Sequence, residues 1–428
     1  LPRWTAAQNP DDALAVELEV HQATRLLADW LTAAIFNHIL SNLAFQANAT
    51  RAARAASETP LRCGGARPVT IRLLGGSHFK ATVPYLKPDR RGKRRGRRRK
   101  PGRRGKGGQG LYPTFAALGI WSGATAALTA EVVHHISACD THHAAFEALA
   151  RRGIELNSKV IRRIFYDFAH RARRQRDAWI AQVTRQPPSS SGPLAGQRVV
   201  VCTDGGRLRI RQQARCGRRR TRTRHRGFKT PWKEPKVLVI YTIDEQGNPI
   251  EAFRPVLDAT MGDCEVLFKM LAGYLMALGA AQARELLVVA DGAPWIWERV
   301  GWLAQKLGLD ESKVVEVVDW YHASEAVHRV ADVPRWSKCK RSRWLNKALK
   351  WLQAGRIESL IKASMALAVG RRAKGIREQV GYFERHKERM RYQRFKQRSI
   401  PRGSGAVESA VRRVVNLRLK GCEIRSSD

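Results

Sequence analysis

Apolar positions recur at helical spacing over residues 11–56, a stretch rich in Ala and Leu and almost free of glycine, which predicts one or two amphipathic helices. Over residues 61–88 the pattern changes to short apolar runs with Gly-Gly turns, the mark of small strands. Helical spacing returns over 141–173, with a break at Gly153. A helix over 144–151, a turn at Gly153, Asn157 or Ser158 as N-cap and a second helix resemble a helix-turn-helix; a plain helical hairpin has the same pattern. Residues 186–196, with Pro187, Pro188 and three serines, read as a linker.

After the linker, strands are predicted at 199–203, 207–212, 236–243, 250–257, 286–290 and 314–318, with helices over 263–278 and 295–307. An antiparallel start followed by parallel strands with intervening helices is the order of an RNase H-like sheet. Residues 336–395 are helical in pattern, strongly basic and inserted in character, and a closing helix is expected over 406–420. The expected fold is therefore α/β: an RNase H-like catalytic domain over 199–428 with a helical insertion at about 336–395. Ahead of it come a helical region (1–60), a small strand module with a basic loop (61–110), a helical segment (111–185) and a linker (186–198).

Charge changes the picture. There are 78 Lys and Arg against 37 Asp and Glu, a net +41. So much like charge repels itself unless a polyanion neutralises it, and nucleic acid is the natural one. An anionic membrane is the rival, but no span approaches twenty apolar residues, and the longest, near 270–280, is interrupted by Gly273 and Tyr274. The opening Leu1-Pro2-Arg3-Trp4 does not have the form of a secretory signal, and with no initiator Met the native start is expected upstream. Seven cysteines without a CxxC pair point to a reducing cytosol rather than a disulfide framework or a classical zinc site.

Residues 90–106 are nearly all Arg, Lys and Gly, and Arg94, Arg95, Arg97, Arg98, Arg99 and Lys100 are expected to meet phosphate there. Lys159, Arg162 and Arg163 on the second helix of the helix-turn-helix pattern, and Arg218, Arg219 and Arg220 in the arginine-rich run after Asp204, are further expected DNA contacts. Cys139, Asp140, His142 and His143 are metal-binding residue types, but without a second cluster they read as helix surface. Trp295 and Trp297 read as core residues of their helix, with base stacking the lesser alternative.

Three aspartates stand at the ends of apolar strands. Asp204 follows Val199 to Thr203, although Asp204-Gly205-Gly206 is also a hairpin-turn signal. Asp291 follows Leu286 to Ala290 and precedes Gly292-Ala293-Pro294, where it could simply cap a helix. Asp319 ends 314–318 in Asp319-Trp320-Tyr321-His322, again a capping position. In a mostly parallel sheet such strand ends converge on one crevice. Carboxylates there suit Mg²⁺ or Mn²⁺, with Glu408 as third ligand, set beside the apolar face of its helix. An exposed i,i+4 pair of Glu408 with Arg412 is the alternative.

These residues resemble bacterial insertion-sequence transposases of the DDE type, particularly the ISKra group. The matching stretches are VVVCTDGG at 199–206, WKEPKVLVIYT at 232–242, VVADGAPWIW at 288–297, DWYHASE at 319–325 and GSGAVESAVRRVVNLRLKG at 403–421. The resemblance implies Asp204, Asp291 and Glu408 as catalytic and metal-binding triad, and Asp319 with His322 as the Cys/Asp-x-x-His signature near it. Relatives often carry a zinc-ribbon-like module; this chain keeps Cys63 but lacks the partner cysteines, an arginine block fills the space, and whether a structural zinc is bound stays open. The expected activity is metal-dependent DNA cleavage at element ends with strand transfer, the alternatives being a nuclease without joining and a decayed, DNA-binding remnant. Expected partners are double-stranded DNA and further copies of the chain, as a homodimer or higher oligomer on DNA. No membrane partner is expected, and the expected place is the bacterial cytoplasm, at the nucleoid.

Overall fold

The computed structural model describes residues 10–89, 110–188, 192–210, 212–213 and 228–412. The chain divides into two compact units, residues 1–175 and 176–428.

The first unit opens with α1 (Pro10–Ser41) and α2 (Leu43–Ala55), separated at Asn42, whose side chain caps the Phe45 N–H at 3.0 Å. A hairpin of β1 (Leu61–Arg72) and β2 (His78–Pro88) follows, and Leu40, Ile71, Val83, Phe115 and Ile120 bury its inner side. The short α3 (Pro113–Ala117) leads to α4 (Ala126–Ala138), α5 (His142–Arg151) and α6 (Ser158–Arg185). Leu128, Val132, Ala145, Leu149, Ile154 and Ile161 pack these last three together. Gly153 takes a positive φ of 74° between α5 and α6, and Asn157 accepts from the Lys159 N–H at 2.8 Å as the helix starts. Of the two expected caps, Asn157 is the one used.

The second unit is mixed α/β. Its first strand, β3 (Arg198–Gly205), is followed by the two-residue pairings β4 (Leu208–Arg209) with β7 (Trp232–Lys233) and β5 (Gln212–Gln213) with β6 (Phe228–Lys229). Then come β8 (Lys236–Ile243), β9 (Val256–Thr260), α7 (Cys264–Ala277), β10 (Glu285–Ala290), α8 (Pro294–Leu307) and β11 (Val314–Val318). The five main strands form one sheet in the order β11-β10-β3-β8-β9. β3, β8 and β9 pair antiparallel; β10 and β11 run parallel to β3. Every residue of β8 and β10 is buried, which is why these strands read as unbroken apolar runs rather than alternating ones.

Between β11 and the last described helix, α14 (Gly405–Val411), the chain makes the helices α9 (Trp320–Asp332), α10 (Lys338–Gln353), α11 (Ile357–Met365), α12 (Ala373–His386) and α13 (Tyr392–Gln397). Arg198 at the base of β3 is 5% exposed and pairs with Glu285 of β10; Arg398, just past α13, reaches the same carboxylate at 2.7 Å. This buried group ties the return of the helical segment to the sheet.

Three local expectations change. The strand expected at 250–257 begins only at Val256, because Pro255 has no N–H to give a ladder. The segment read as a linker is partly core: Leu194 is fully buried and its N–H donates to the Leu278 carbonyl at 3.0 Å. The division between units falls within α6, whose end packs through buried Ile180 and Val183, with Arg176 on Asp258 at 2.8 Å. Local polarity reports prolines and serines; it does not report what a helix end packs against. Residues 90–106 and the end of the expected closing helix beyond 412 lie outside the described residues.

Candidate active site

Register brings the three strand-end aspartates together. Thr203 of β3 stands opposite Ala290 of β10, and Ala290 opposite Val318 of β11, all in parallel pairing. The next residues are Asp204, still paired within β3, and Asp291 and Asp319, just past the ends of β10 and β11, so all three come to the same end of the sheet. α14 packs against β3 and β8 and carries Glu408 to the same place.

Asp204 does not sit in a tight turn. It is paired with Val237 inside the β3–β8 ladder, and the hairpin continues well past it. Its Oδ1 accepts from the Gly205 N–H at 2.6 Å. Burial raises its pKa despite that bond; the charges of Asp291 and Glu408 push the same way, and His322 opposes them. Asp204 thus sits among like charges.

Asp291 is not the N-cap of α8, a position Ala293 holds with Pro294 behind it. Its Oδ1 accepts from the Ala293 N–H at 3.0 Å, and its carbonyl accepts from the buried Trp297 indole at 2.9 Å. Trp297 is therefore a core residue that fixes this turn.

Asp319 is the N-cap of α9 and is fully buried. Its Oδ1 accepts from the N–H groups of Tyr321 (2.6 Å) and His322 (3.2 Å). Its Oδ2 accepts the Ser404 hydroxyl at 2.7 Å and the Ser404 N–H. The same hydroxyl oxygen, its one proton committed to Asp319, lies 3.3 Å from the Glu408 carboxylate.

The sequence reading places a metal on Asp204, Asp291 and Glu408. Among the described residues, the tightest group of ligand types is instead Asp319, His322 and Glu408, with one ligand atom from each within 4.8 Å of the others. A carboxylate offers about four lone-pair sites, and Asp319 already receives four protein donors. It is thus a structural anchor beside the crevice. By contrast, Asp204, Asp291 and Glu408 each keep one carboxylate oxygen with no protein donor among the described residues. That donor set fits a hard divalent cation. Glu408 corrects one expectation: it is exposed, while Val407, Ala410 and Val411 supply the buried side of α14.

His322 is 41% exposed, with its ring 3.9 Å from Glu325. The cap on Asp319 uses the backbone of His322, so the ring is not needed to hold the turn. His322→Ala is expected to leave the melting temperature unchanged while lowering turnover roughly ten- to a hundredfold, the usual scale for groups that orient a metal site. Normal turnover in that variant removes the ring from the chemistry.

Sequence reasoning missed Tyr382. A Cβ added to Gly292 would lie 2.1 Å from its ring, so the glycine after Asp291 is required by this close approach. The Tyr382 hydroxyl is buried with no hydrogen-bond partner, and burial, with the charges of Asp291 and Asp319, holds its proton on more tightly. No local signal separates this tyrosine from its helical neighbours in α12.

Of the expected DNA contacts, Lys159, Arg162 and Arg163 are exposed on the first turns of α6, and Arg163 donates to the Ser122 carbonyl at 3.1 Å. Arg94, Arg95, Arg97, Arg98, Arg99, Lys100, Arg218, Arg219 and Arg220 lie outside the described residues. Arg207 and Arg209 flank the Trp232 ring at 5.9 and 4.7 Å. Among the described residues, no helix is long and apolar enough to cross a membrane. Searches against family models, curated proteins and solved structures found no match for this chain.

Proposed function

We propose that this chain is a DNA transposase of the DDE type, working on an RNase H-like sheet with Mg²⁺ or Mn²⁺. The observation that carries the reading is that Asp204 and Asp291 stand at the same end of the adjacent parallel strands β3 and β10, with the Glu408 charge beside them. The sheet order, antiparallel through β3, β8 and β9 and parallel at β10 and β11, supports the RNase H-like assignment. So does the helical excursion from α9 to α13 that precedes α14.

Asp204, Asp291 and Glu408 would hold the metal through their open carboxylate oxygens. A divalent cation held there would supply the activation of a water or 3′-hydroxyl and the stabilisation of the departing oxygen. The protein's own contribution is placement. Asp319 pins the start of α14 to the start of α9, which sets Glu408 and His322 against the strand ends. His322, with a ring nitrogen within 4.8 Å of the Asp319 and Glu408 carboxylates, would donate to a phosphate oxygen, and the Tyr382 ring packs over Gly292. The chain's net charge of +41 supplies the attraction for the DNA backbone, within the bacterial cytoplasm.

The test is incubation of the full chain with Mg²⁺ and DNA carrying candidate end sequences, with cleaved and joined strands resolved separately. Cleavage followed by joining of 3′-ends to a target is expected. Cleavage without any joined product makes the protein a nuclease. Tight DNA binding with no cut strand for any substrate overturns the reading.

A further inference from the structure

The helix α1 is out of place on a lone chain. Leu18, Leu26, Leu27, Trp30, Leu31 and Ile35 are each between 48% and 67% exposed. At 100° per residue they spread over roughly 260° of the helix circumference. A helix that is apolar nearly all round is normally enclosed. Its own unit holds it at few points: Asp29 accepts from the N–H groups of Gly75 and Ser77, both at 2.9 Å, Arg25 donates to the Arg152 carbonyl at 2.8 Å, and Leu40 is buried. The half before Arg25 is almost wholly exposed.

Charge narrows the choice of cover. In a chain of net +41, α1 has Asp11, Asp12, Glu17, Glu19 and Asp29 against Arg25 as its one Lys or Arg. A DNA backbone is therefore the wrong partner for it. A matching surface exists at the other end of the same helix. There α2 and β2 form a cleft of about 520 Å³ with Leu43, Ala47 and Pro84 as its apolar part and Arg51 and Arg54 as its basic part. Leu43 is 79% exposed, the highest exposure among the large apolar side chains described.

We infer that α1 pairs antiparallel with α1 of a second copy of this chain. The helix is 32 residues long, roughly 48 Å, so an antiparallel pair lays each acidic N-terminal half beside the partner's α2 cleft. A two-fold axis makes both contacts at once, since the same two surfaces serve each chain. The pairing covers one apolar face of each helix and sets carboxylates against arginines. It rests on the first unit alone and does not depend on the catalytic reading.

The experiment is sedimentation of the full chain after nuclease treatment and removal of nucleic acid, across the micromolar range. A dimer is expected. Leu27→Glu with Leu31→Glu changes only exposed positions, so the folded spectrum should persist while the species becomes a monomer. Asp11→Arg with Glu17→Arg, and separately Arg51→Glu with Arg54→Glu, should each raise the dimer dissociation constant at least tenfold. Mixing those two charge-reversed chains should restore dimers, because both contacts then pair opposite charges. A monomeric wild type, a dimer indifferent to the Leu27 and Leu31 changes, or charge-reversed chains that do not recover on mixing would each overturn the proposal.

Discussion

Asp204→Asn and Asp291→Asn chains are expected to lose Mg²⁺-dependent DNA cleavage by on the order of a thousandfold or more, with DNA binding nearly intact. Both substitutions keep the shape and remove the charge. In each case an oxygen that would face a cation is replaced or neutralised, while the sheet register that positions the residue is untouched. Glu408→Gln should behave alike, because Glu408 is exposed and contributes no burial to α14. Two readouts besides activity test the assignment. Asp204 sits among like charges and its proton affinity is raised, so in the metal-free protein its ionised form opposes folding. The folded state then binds more protons than the unfolded state, and this contribution to stability falls as pH rises through the folded pKa. Metal-free Asp204→Asn should accordingly melt higher than wild type at neutral pH, and the difference should shrink on acidification. Added Mg²⁺ should raise the melting temperature of wild type, more at higher pH, and leave the Asp204 and Asp291 variants unmoved. Full cleavage by either variant would remove that residue from the site.

Asp319→Ala should be the most damaging single change to the fold around the crevice. The buried carboxylate satisfies two N–H groups at the start of α9 and both the N–H and hydroxyl of Ser404. Removing it strands these buried donors, a loss on the order of 3 kcal/mol. Asp319→Asn separates stability from placement. Its remaining carbonyl oxygen can still cap α9, but the amide offers donors where Ser404 also donates. Stability should fall less, by about 1 kcal/mol, while turnover drops roughly ten- to a hundredfold because Glu408 is no longer anchored. Ser404→Ala provides the decisive comparison, since it leaves the Asp319 carboxylate in place. If Asp319 acts by anchoring α14, Ser404→Ala should slow turnover as well. If Asp319 were itself a metal ligand, losing one donor would free a lone pair and leave turnover unharmed.

The elements of this protein are written in local pattern wherever a segment is buried on both faces or begins with a strong cap. Leu286 to Ala290 and Lys236 to Ile243 read as strands because a central strand of a covered sheet needs apolar side chains on both sides. Asp263, Asn157 and Pro294 mark helix starts because the first N–H groups of a helix have no partner within it. The strand-end positions of Asp204, Asp291 and Asp319 are legible for the same reason. Tertiary structure alone decided which of these acids is used up. Asp319 meets Ser404 across 85 positions of chain, and no local spacing encodes that this carboxylate will find four donors. The same holds for Tyr382 over Gly292, for the exposure of Glu408, and for the end of α6, which packs within the second unit through Ile180 and Val183. Periodicity reports which face of an element is apolar; what that face meets, and which polar atoms remain open once it does, is a property of the packed chain.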